Sequence, residues 1–174
     1  MADFQTNLWA PWRMEYLEKL GAGDNERCFL CRAIETPRDD EQNHVLWRTD
    51  HTLTLLNRFP YSSGHALVAP VTHAAQLEDL PDDVLLDLMR TARDAKRALE
   101  AALQAQGFNI GMNLGHCAGA GLPGHLHVHV VPRWSGDTNF MPVLGDVKVI
   151  PQSLAEVHRR FLAAAQELAL GPKA

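Results

Sequence analysis

The sequence predicts an α+β fold: an antiparallel meander of about five short strands, one long helix and a C-terminal helix. Three observations lead there. Residues 80–106 carry a sustained apolar repeat of about 3.6 residues, the signature of an amphipathic helix. Five short apolar runs lie between turn-rich stretches, as strands do. A second helical pattern opens at Ser153, with Glu156 three residues on as a capping pair. One long helix beside strands in a meander is an α+β arrangement.

In chain order, residues 3–20 hold Leu8, Trp9, Trp12, Met14, Tyr16, Leu17 and Leu20, read as an arm or short helix packed on the body, and 21–25 as a breaker. Residues 35–43 form a polar loop. Val45–Arg48, Thr52–Leu56 and His65–Ala69 are the first three strands, the last two separated by the turn-rich Asn57-Arg58-Phe59-Pro60-Tyr61-Ser62-Ser63-Gly64. Leu80-Pro81-Asp82-Asp83 starts the long helix, with proline and acids in its first turn. Val84, Leu88, Ala92, Ala95 and Leu99 continue its apolar stripe, and Gly107 is its expected stop. Phe108–Asn113 is a fourth strand, 115–124 a glycine-rich loop, and Leu126–Val131 a fifth strand closed by Pro132. Residues 135–151 are irregular, and Ser153 to Leu168 is the C-terminal helix. The expected organisation is one domain over 1–174: an arm (1–25), a core (26–135) and an extension with the final helix (136–174).

At 174 residues the chain can remove roughly 68–70% of its unfolded surface from water. Its 46% hydrophobic and 21% charged content is that of a soluble globular protein. A net charge of −5 argues against a nucleic-acid polymer as partner, because such binding needs phosphate neutralisation by Lys and Arg, yet it leaves room for a small nucleotide. No apolar run reaches the roughly 18–20 residues that span a bilayer, so no membrane association is expected. The first twelve residues lack a secretory pattern, and a cytoplasmic location is expected. Cys28-Phe29-Leu30-Cys31 then suggests a metal site or redox pair rather than a structural disulfide; Cys117 stands alone.

The most informative segment is Pro123-Gly124-His125-Leu126-His127-Val128-His129-Val130-Val131-Pro132-Arg133. Alternation on a strand puts His125, His127 and His129 on one face and Leu126, Val128 and Val130 on the other. The apolar face suits a core. The imidazole face needs hydrogen bonds, a metal or a ligand. A lone histidine is usually structural, but three at alternate positions, about 7 Å apart at ~3.3 Å per residue, are not explained by packing. Two chemistries fit. All three rings can bind one catalytic zinc. Alternatively the central ring is a nucleophile toward phosphorus, since neutral imidazole has a lone pair near pH 7.

With these residues in view, the chain resembles the histidine-triad (HIT) family. His-Leu-His-Val-His-Val-Val matches its triad pattern. Asn57-Arg58-Phe59-Pro60, then Gly64-His65-Ala66-Leu67-Val68-Ala69-Pro70 and His73, resembles its ribose-contacting turn and strand, and Asn113-Leu114-Gly115 its phosphate-side strand end. The likeness spans roughly residues 28–135. Leu8-Trp9-Ala10-Pro11-Trp12-Arg13, Ala118-Gly119-Ala120-Gly121 and Val131-Pro132-Arg133-Trp134 are similar to a microbial branch that includes diadenosine tetraphosphate phosphorylases.

The resemblance implies an HIT-like fold and a nucleotidyl transferase or hydrolase that cleaves dinucleoside polyphosphates through a nucleotidyl-histidine. His127 would be the nucleophile, His129 a donor to phosphate or the leaving group, and His65 the residue that lies behind His127 and orients its ring. Asn57 would meet ribose, and Asn113, Gly119 and Gly121 the phosphate. The 115–124 loop is as readily a plain connection. There is a departure: where many relatives have Ser or Gln before the triad, this chain has Gly121-Leu122-Pro123-Gly124, so leaving-group help falls to His129, His116 or water.

Two cysteines need two more ligands for zinc, and His44, His51, His73, His116 and His125 are available. Zinc-containing relatives, including the galactose-1-phosphate uridylyltransferase branch, point to His73 and His125, with His51 as the alternative. The expected cofactor is thus one structural zinc on Cys28, Cys31, His73 and His125, with no organic cofactor; reduced buried cysteines are the plainer alternative. Expected partners are an adenine or other purine nucleotide and a second copy of the chain in a homodimer or higher oligomer, to which Trp9 and Trp12 can contribute. Hydrolysis of dinucleoside polyphosphates or nucleoside phosphoramidates by water, a three-histidine metallohydrolase and a non-catalytic nucleotide-binding module are the competing functions.

Overall fold

The computed structural model describes residues 28–138 and 150–171. The expected arm lies outside the described residues, as does most of the irregular stretch before the last helix. The described elements are α1 (Phe29–Glu35), β1 (Val45–Arg48), β2 (Thr52–Leu56), β3 (Ala66–Pro70), α2 (Asp82–Leu103), β4 (Gly107–Met112), β5 (Val128–Arg133) and α3 (Leu154–Glu167). No helix among the described residues is long and apolar enough to cross a membrane.

The strands form one five-stranded sheet in the order β1-β2-β3-β5-β4, with every neighbouring pair antiparallel. The α+β class holds, and the meander is refined at one point. After β3 the chain runs through α2 to the far edge, forms β4, and returns as β5 between β3 and β4. β5 is therefore a central strand, with partners on both sides.

Alternation divides the sheet into two faces. Leu56, Ala66, Val68, Leu126, Val128 and Val130 meet Leu88, Ala92, Ala95 and Leu99 of α2, and Val157 and Phe161 of α3, in the main core. Trp47 lies on Phe161 at 4.9 Å between ring centroids, which anchors α3. The other face carries Leu53, Leu55, Leu67 and Ala69 against Leu30 and Ala33 of α1. His129 pairs with Leu67 and so belongs to this second face.

Some boundaries differ from expectation. α1 is absent from the sequence reading: seven residues give too little period to register beside the cysteine pair. α2 ends at Leu103 rather than at Gly107. Gln104 takes the left-handed conformation there, and its carbonyl accepts the indole N–H of Trp134 at 3.1 Å. Gly107 instead opens β4 opposite Arg133. β5 starts at Val128 and runs through Pro132, because β3 begins only at Ala66, opposite Val130, so Pro132 has a strand neighbour on one side alone. α3 begins as expected, with the Ser153 hydroxyl accepting the Glu156 N–H at 3.3 Å.

Gly64 turns the chain into His65 and β3 with φ +76°, a conformation that favours glycine. A Cβ there would sit 2.4 Å from Leu103 Cδ1 and 3.3 Å from Pro132 Cγ. Leu103 can rotate, but the backbone strain stays. Gly64→Ala is expected to destabilise the fold by roughly 1–3 kcal/mol. Urea titration measures it, and a shift under about 0.5 kcal/mol contradicts this account.

Candidate active site

Residues 125–133 carry the site, and of the histidines at 125, 127 and 129 only His129 lies within the regular strand. His125, in a bend, and His127 precede it, and the Leu126 N–H between them bonds the Ala74 carbonyl at 2.7 Å. His125 is fully buried and His127 nearly so. Each ring is held by a different partner, and the partners settle which nitrogen carries the proton.

His127 Nδ1 donates to the backbone carbonyl of His125 at 2.8 Å. A carbonyl only accepts, so the Nδ1 proton is fixed and the neutral ring presents its lone pair at Nε2. Burial lowers the pKa of His127 and outweighs the opposing effect of this bond, so the neutral ring is favoured near pH 7.

Behind it stands a second chain of contacts. The Tyr61 N–H donates to His65 Nδ1 at 3.0 Å, so the His65 proton lies on Nε2. His65 Nε2 then donates to His129 Nδ1 at 2.9 Å, so it orients the His129 ring, where the family likeness points to His127. His129, when neutral, therefore carries its own proton on Nε2. Tyr61 stacks on His65 at 4.6 Å, and the rings of His127 and His129 meet edge to face at 4.8 Å. The sequence reading did not single out Tyr61. An aromatic in a Pro-Tyr-Ser-Ser-Gly turn carries no periodic signal, and only the fold brings it over His65.

His125 faces the other way. Its Nε2 donates to the Pro70 carbonyl at 2.9 Å, leaving Nδ1 toward Cys28 Sγ at 3.3 Å and Cys31 Sγ at 3.5 Å. Cys31 Sγ also lies 3.1 Å from His73 Nδ1. The four ligand atoms of Cys28, Cys31, His73 and His125 all fall within 4.8 Å of one another. Metal–sulfur and metal–nitrogen bonds of about 2.3 and 2.1 Å at tetrahedral angles require S···N separations near 3.5 Å. The cluster can therefore hold a metal ion, and the Pro70 carbonyl is the kind of outer partner that orients a ligating histidine. Without a cation, burial first and then Cys28 push the Cys31 thiol up to about 11. A dication would reverse that by stabilising the thiolates. His51 and His116 are not in this cluster, so His51 is not needed as a ligand.

The expected substrate contacts are more dispersed. Asn57 Oδ1 accepts the Phe59 N–H at 2.9 Å, and its Nδ2 lies 3.3 Å from His65 Nδ1, so it shapes the turn beside the triad. One N–H of the Asn113 amide donates to the Gly119 carbonyl at 3.3 Å, tying the glycine loop to the end of β4. Gly119 is left-handed at φ +83°, and a Cβ there would meet nothing. Asn113, Ala118 and His129 share a cleft of about 310 Å³ with Tyr61 and Asn109. Gly121 lies in the same loop, half-buried, outside that cleft lining.

The chain is 41% identical over 165 residues to an AP-4-A phosphorylase of Mycobacterium tuberculosis, covering 92% of this chain and 84% of that protein. It is 35% identical over 95 residues to an asymmetrical bis(5'-nucleosyl)-tetraphosphatase of Schizosaccharomyces pombe, covering 55% of this chain and 52% of that one. Among solved structures, a zinc-bound histidine triad family protein from Mycobacterium smegmatis superposes with a TM-score of 0.67 at 28% identity, covering 82% of this chain and 95% of that one. Residues 38–136, which contain His65, His127 and His129, match the HIT domain, and the chain belongs to that family.

Proposed function

We propose that the protein is a nucleotidyl-transferring enzyme that cleaves dinucleoside polyphosphates, with orthophosphate as acceptor and ADP and ATP as products of diadenosine tetraphosphate. The observation that carries this is the His127 Nδ1–H bond to the His125 carbonyl, which leaves Nε2 as a neutral nucleophile on a ring 4.8 Å from that of His129, a residue of the cleft lining. The similarity to an AP-4-A phosphorylase over most of the chain favours orthophosphate over water.

In the first step a bond forms from His127 Nε2 to the adenylyl phosphorus. The bond from that phosphorus to the bridging oxygen breaks, and its electron pair leaves with ATP. The Nε2–H of His129, set by His65 and Tyr61, donates to the phosphate or the departing oxygen. In the second step a phosphate oxygen displaces His127, which releases ADP and restores the ring. With water as acceptor the product would be AMP. Asn113 meets the phosphates from the cleft lining, with Gly119 and Gly121 on the loop tied to it, and Asn57 meets ribose once substrate reshapes its turn.

Zinc is the proposed metal for Cys28, Cys31, His73 and His125, since two thiolates and two imidazoles suit it. Four protein ligands leave no position open, so its role is to fix His125 and with it the carbonyl that binds His127. A second copy of the chain is the proposed partner through β4. Among the described residues β4 is an edge strand, and Ile110 and the neighbouring Met89 of α2 are about half exposed.

His127→Asn is expected to keep nucleotide binding while lowering turnover roughly a thousandfold or more. Turnover of diadenosine tetraphosphate with and without orthophosphate checks both halves of the proposal. Near-wild-type rates reject the nucleophile, and cleavage without phosphate rejects the phosphorylase. Cys28→Ser should lower zinc content and melting temperature together. A loss of about 3 kcal/mol corresponds to roughly 6–12 °C in a chain this size. Full stability in a metal-free wild type excludes the zinc. Ile110→Lys should shift a dimer toward monomer in sedimentation velocity, and an unaltered dimer excludes β4 as the contact.

A further inference from the structure

A second polar cluster, Asn109–Arg133–Asp137, lies on the same sheet face as His129 but takes no part in the chemistry above. β5 places His129, Val131 and Arg133 on this face. β4 sets Gly111, Asn109 and Gly107 opposite them. Four residues at ~3.3 Å each separate His129 from Arg133, about 13 Å in all. Among the described residues, a Cβ on Gly111 would meet nothing within 4 Å, and one on Gly107 only Arg133 Cβ at 4.0 Å, so none of them fills the β4 side of the trough. The 310 Å³ cleft at His129 and a second cleft of about 280 Å³ at Arg133 share Tyr61, Asn109 and Val131. Together they make one groove leading away from the triad.

The far end of the groove has a different character from the near end. Arg133 Nε and Nη2 donate to Asp137 at 2.5 and 2.8 Å, and Nη1 donates to Asn109 Oδ1 at 2.8 Å. Asp137 also accepts the Trp134 N–H at 3.1 Å, which fixes the carboxylate. Its bonds to Arg133 hold its carboxyl far below the usual range, so the pair stays ionised and close to neutral in sum. A site for a further phosphate would leave the guanidinium uncompensated. Here a carboxylate, an amide and the nearby Ser62 and Thr138 hydroxyls suit sugar hydroxyls instead. The Tyr61 ring, 37% exposed, and the guanidinium plane suit a base.

We propose that this end of the groove binds the nucleoside of the departing half of the substrate, with the bridging phosphates lying between it and His129. This rests on the proposed function and names what selects a dinucleoside substrate over a mononucleotide. The distance matches the need: the distal nucleoside of diadenosine tetraphosphate is separated from the attacked phosphorus by the three phosphates that depart with it.

The test compares diadenosine tetraphosphate with adenosine 5'-tetraphosphate, which offers the same phosphorus and departing phosphates without the distal nucleoside. The ratio of kcat/KM for the two is measured in wild type, Asn109→Ala and Arg133→Ala, with melting temperatures alongside. Wild type should favour the dinucleotide, and each variant should lower that ratio about tenfold, the loss that one or two hydrogen bonds supply. Arg133→Ala breaks an ion pair; if it does not fold, the exposed Asn109→Ala carries the test alone. An equal loss on both substrates, or a wild-type ratio near one, overturns the subsite and leaves the His127 chemistry standing. A wild type inert toward both overturns the subsite and the underlying function together.

Discussion

The hydrogen bond from His127 Nδ1 to the carbonyl two residues before it is the constraint on which the site depends. It fixes the proton on one nitrogen and so offers the other. A free imidazole samples both tautomers, and a protonated one has no lone pair. The bond is local, but it holds only if the carbonyl of His125 stays in place. That carbonyl is positioned by the His125 ring, which is itself tied to the Pro70 carbonyl and faced by two cysteine sulfurs. The cysteine cluster and the proposed nucleophile are thus consecutive links of one chain of contacts.

The same geometry bears on the choice between a nucleophilic triad and three histidines on one catalytic metal. Three-histidine metal sites need three lone pairs converging on one point. Here His125 Nδ1 faces sulfur, His127 Nδ1 is bound to a carbonyl, and His129 Nδ1 accepts from His65. The remaining nitrogen of His125 donates to Pro70, which takes that ring out of any shared coordination with its neighbours. Alternation predicts a common side for the three histidines, but the bend at His125 and their separate hydrogen-bond partners divide them between two tasks.

Much of this was legible in the sequence because it is periodic. The α2 stripe, the five short strands and the alternation of Leu126, Val128 and Val130 against the histidines follow from apolar spacing, and the core assembles on them as expected. The cysteine pair and its two histidine partners were legible through family likeness, since His73 and His125 lie 42 and 94 residues from Cys31. What spacing does not encode is what a turn or an unpaired residue will touch. Seven-residue α1, the left-handed Gln104 that ends α2 early and the stacking of Tyr61 on His65 all depend on tertiary contacts. Asn57 shows the same limit: its family likeness suggests ribose, while its contacts here shape its own turn.

The position of β5 explains why one short segment can do so much. As a central strand it presents Val128 and Val130 to the α2–α3 layer, where burial of each aliphatic side chain contributes roughly 1.5–3 kcal/mol. Its opposite side is then free to be polar without loss of the fold. Those polar residues are graded along it, from His129 at the triad to Arg133 at its exposed end, with Asn109 and glycines across on β4. A substrate lying along this strand would meet nucleophile, phosphate donors and nucleoside contacts in order. Substitutions at the far end should therefore alter which substrate is chosen before they alter whether bond cleavage occurs.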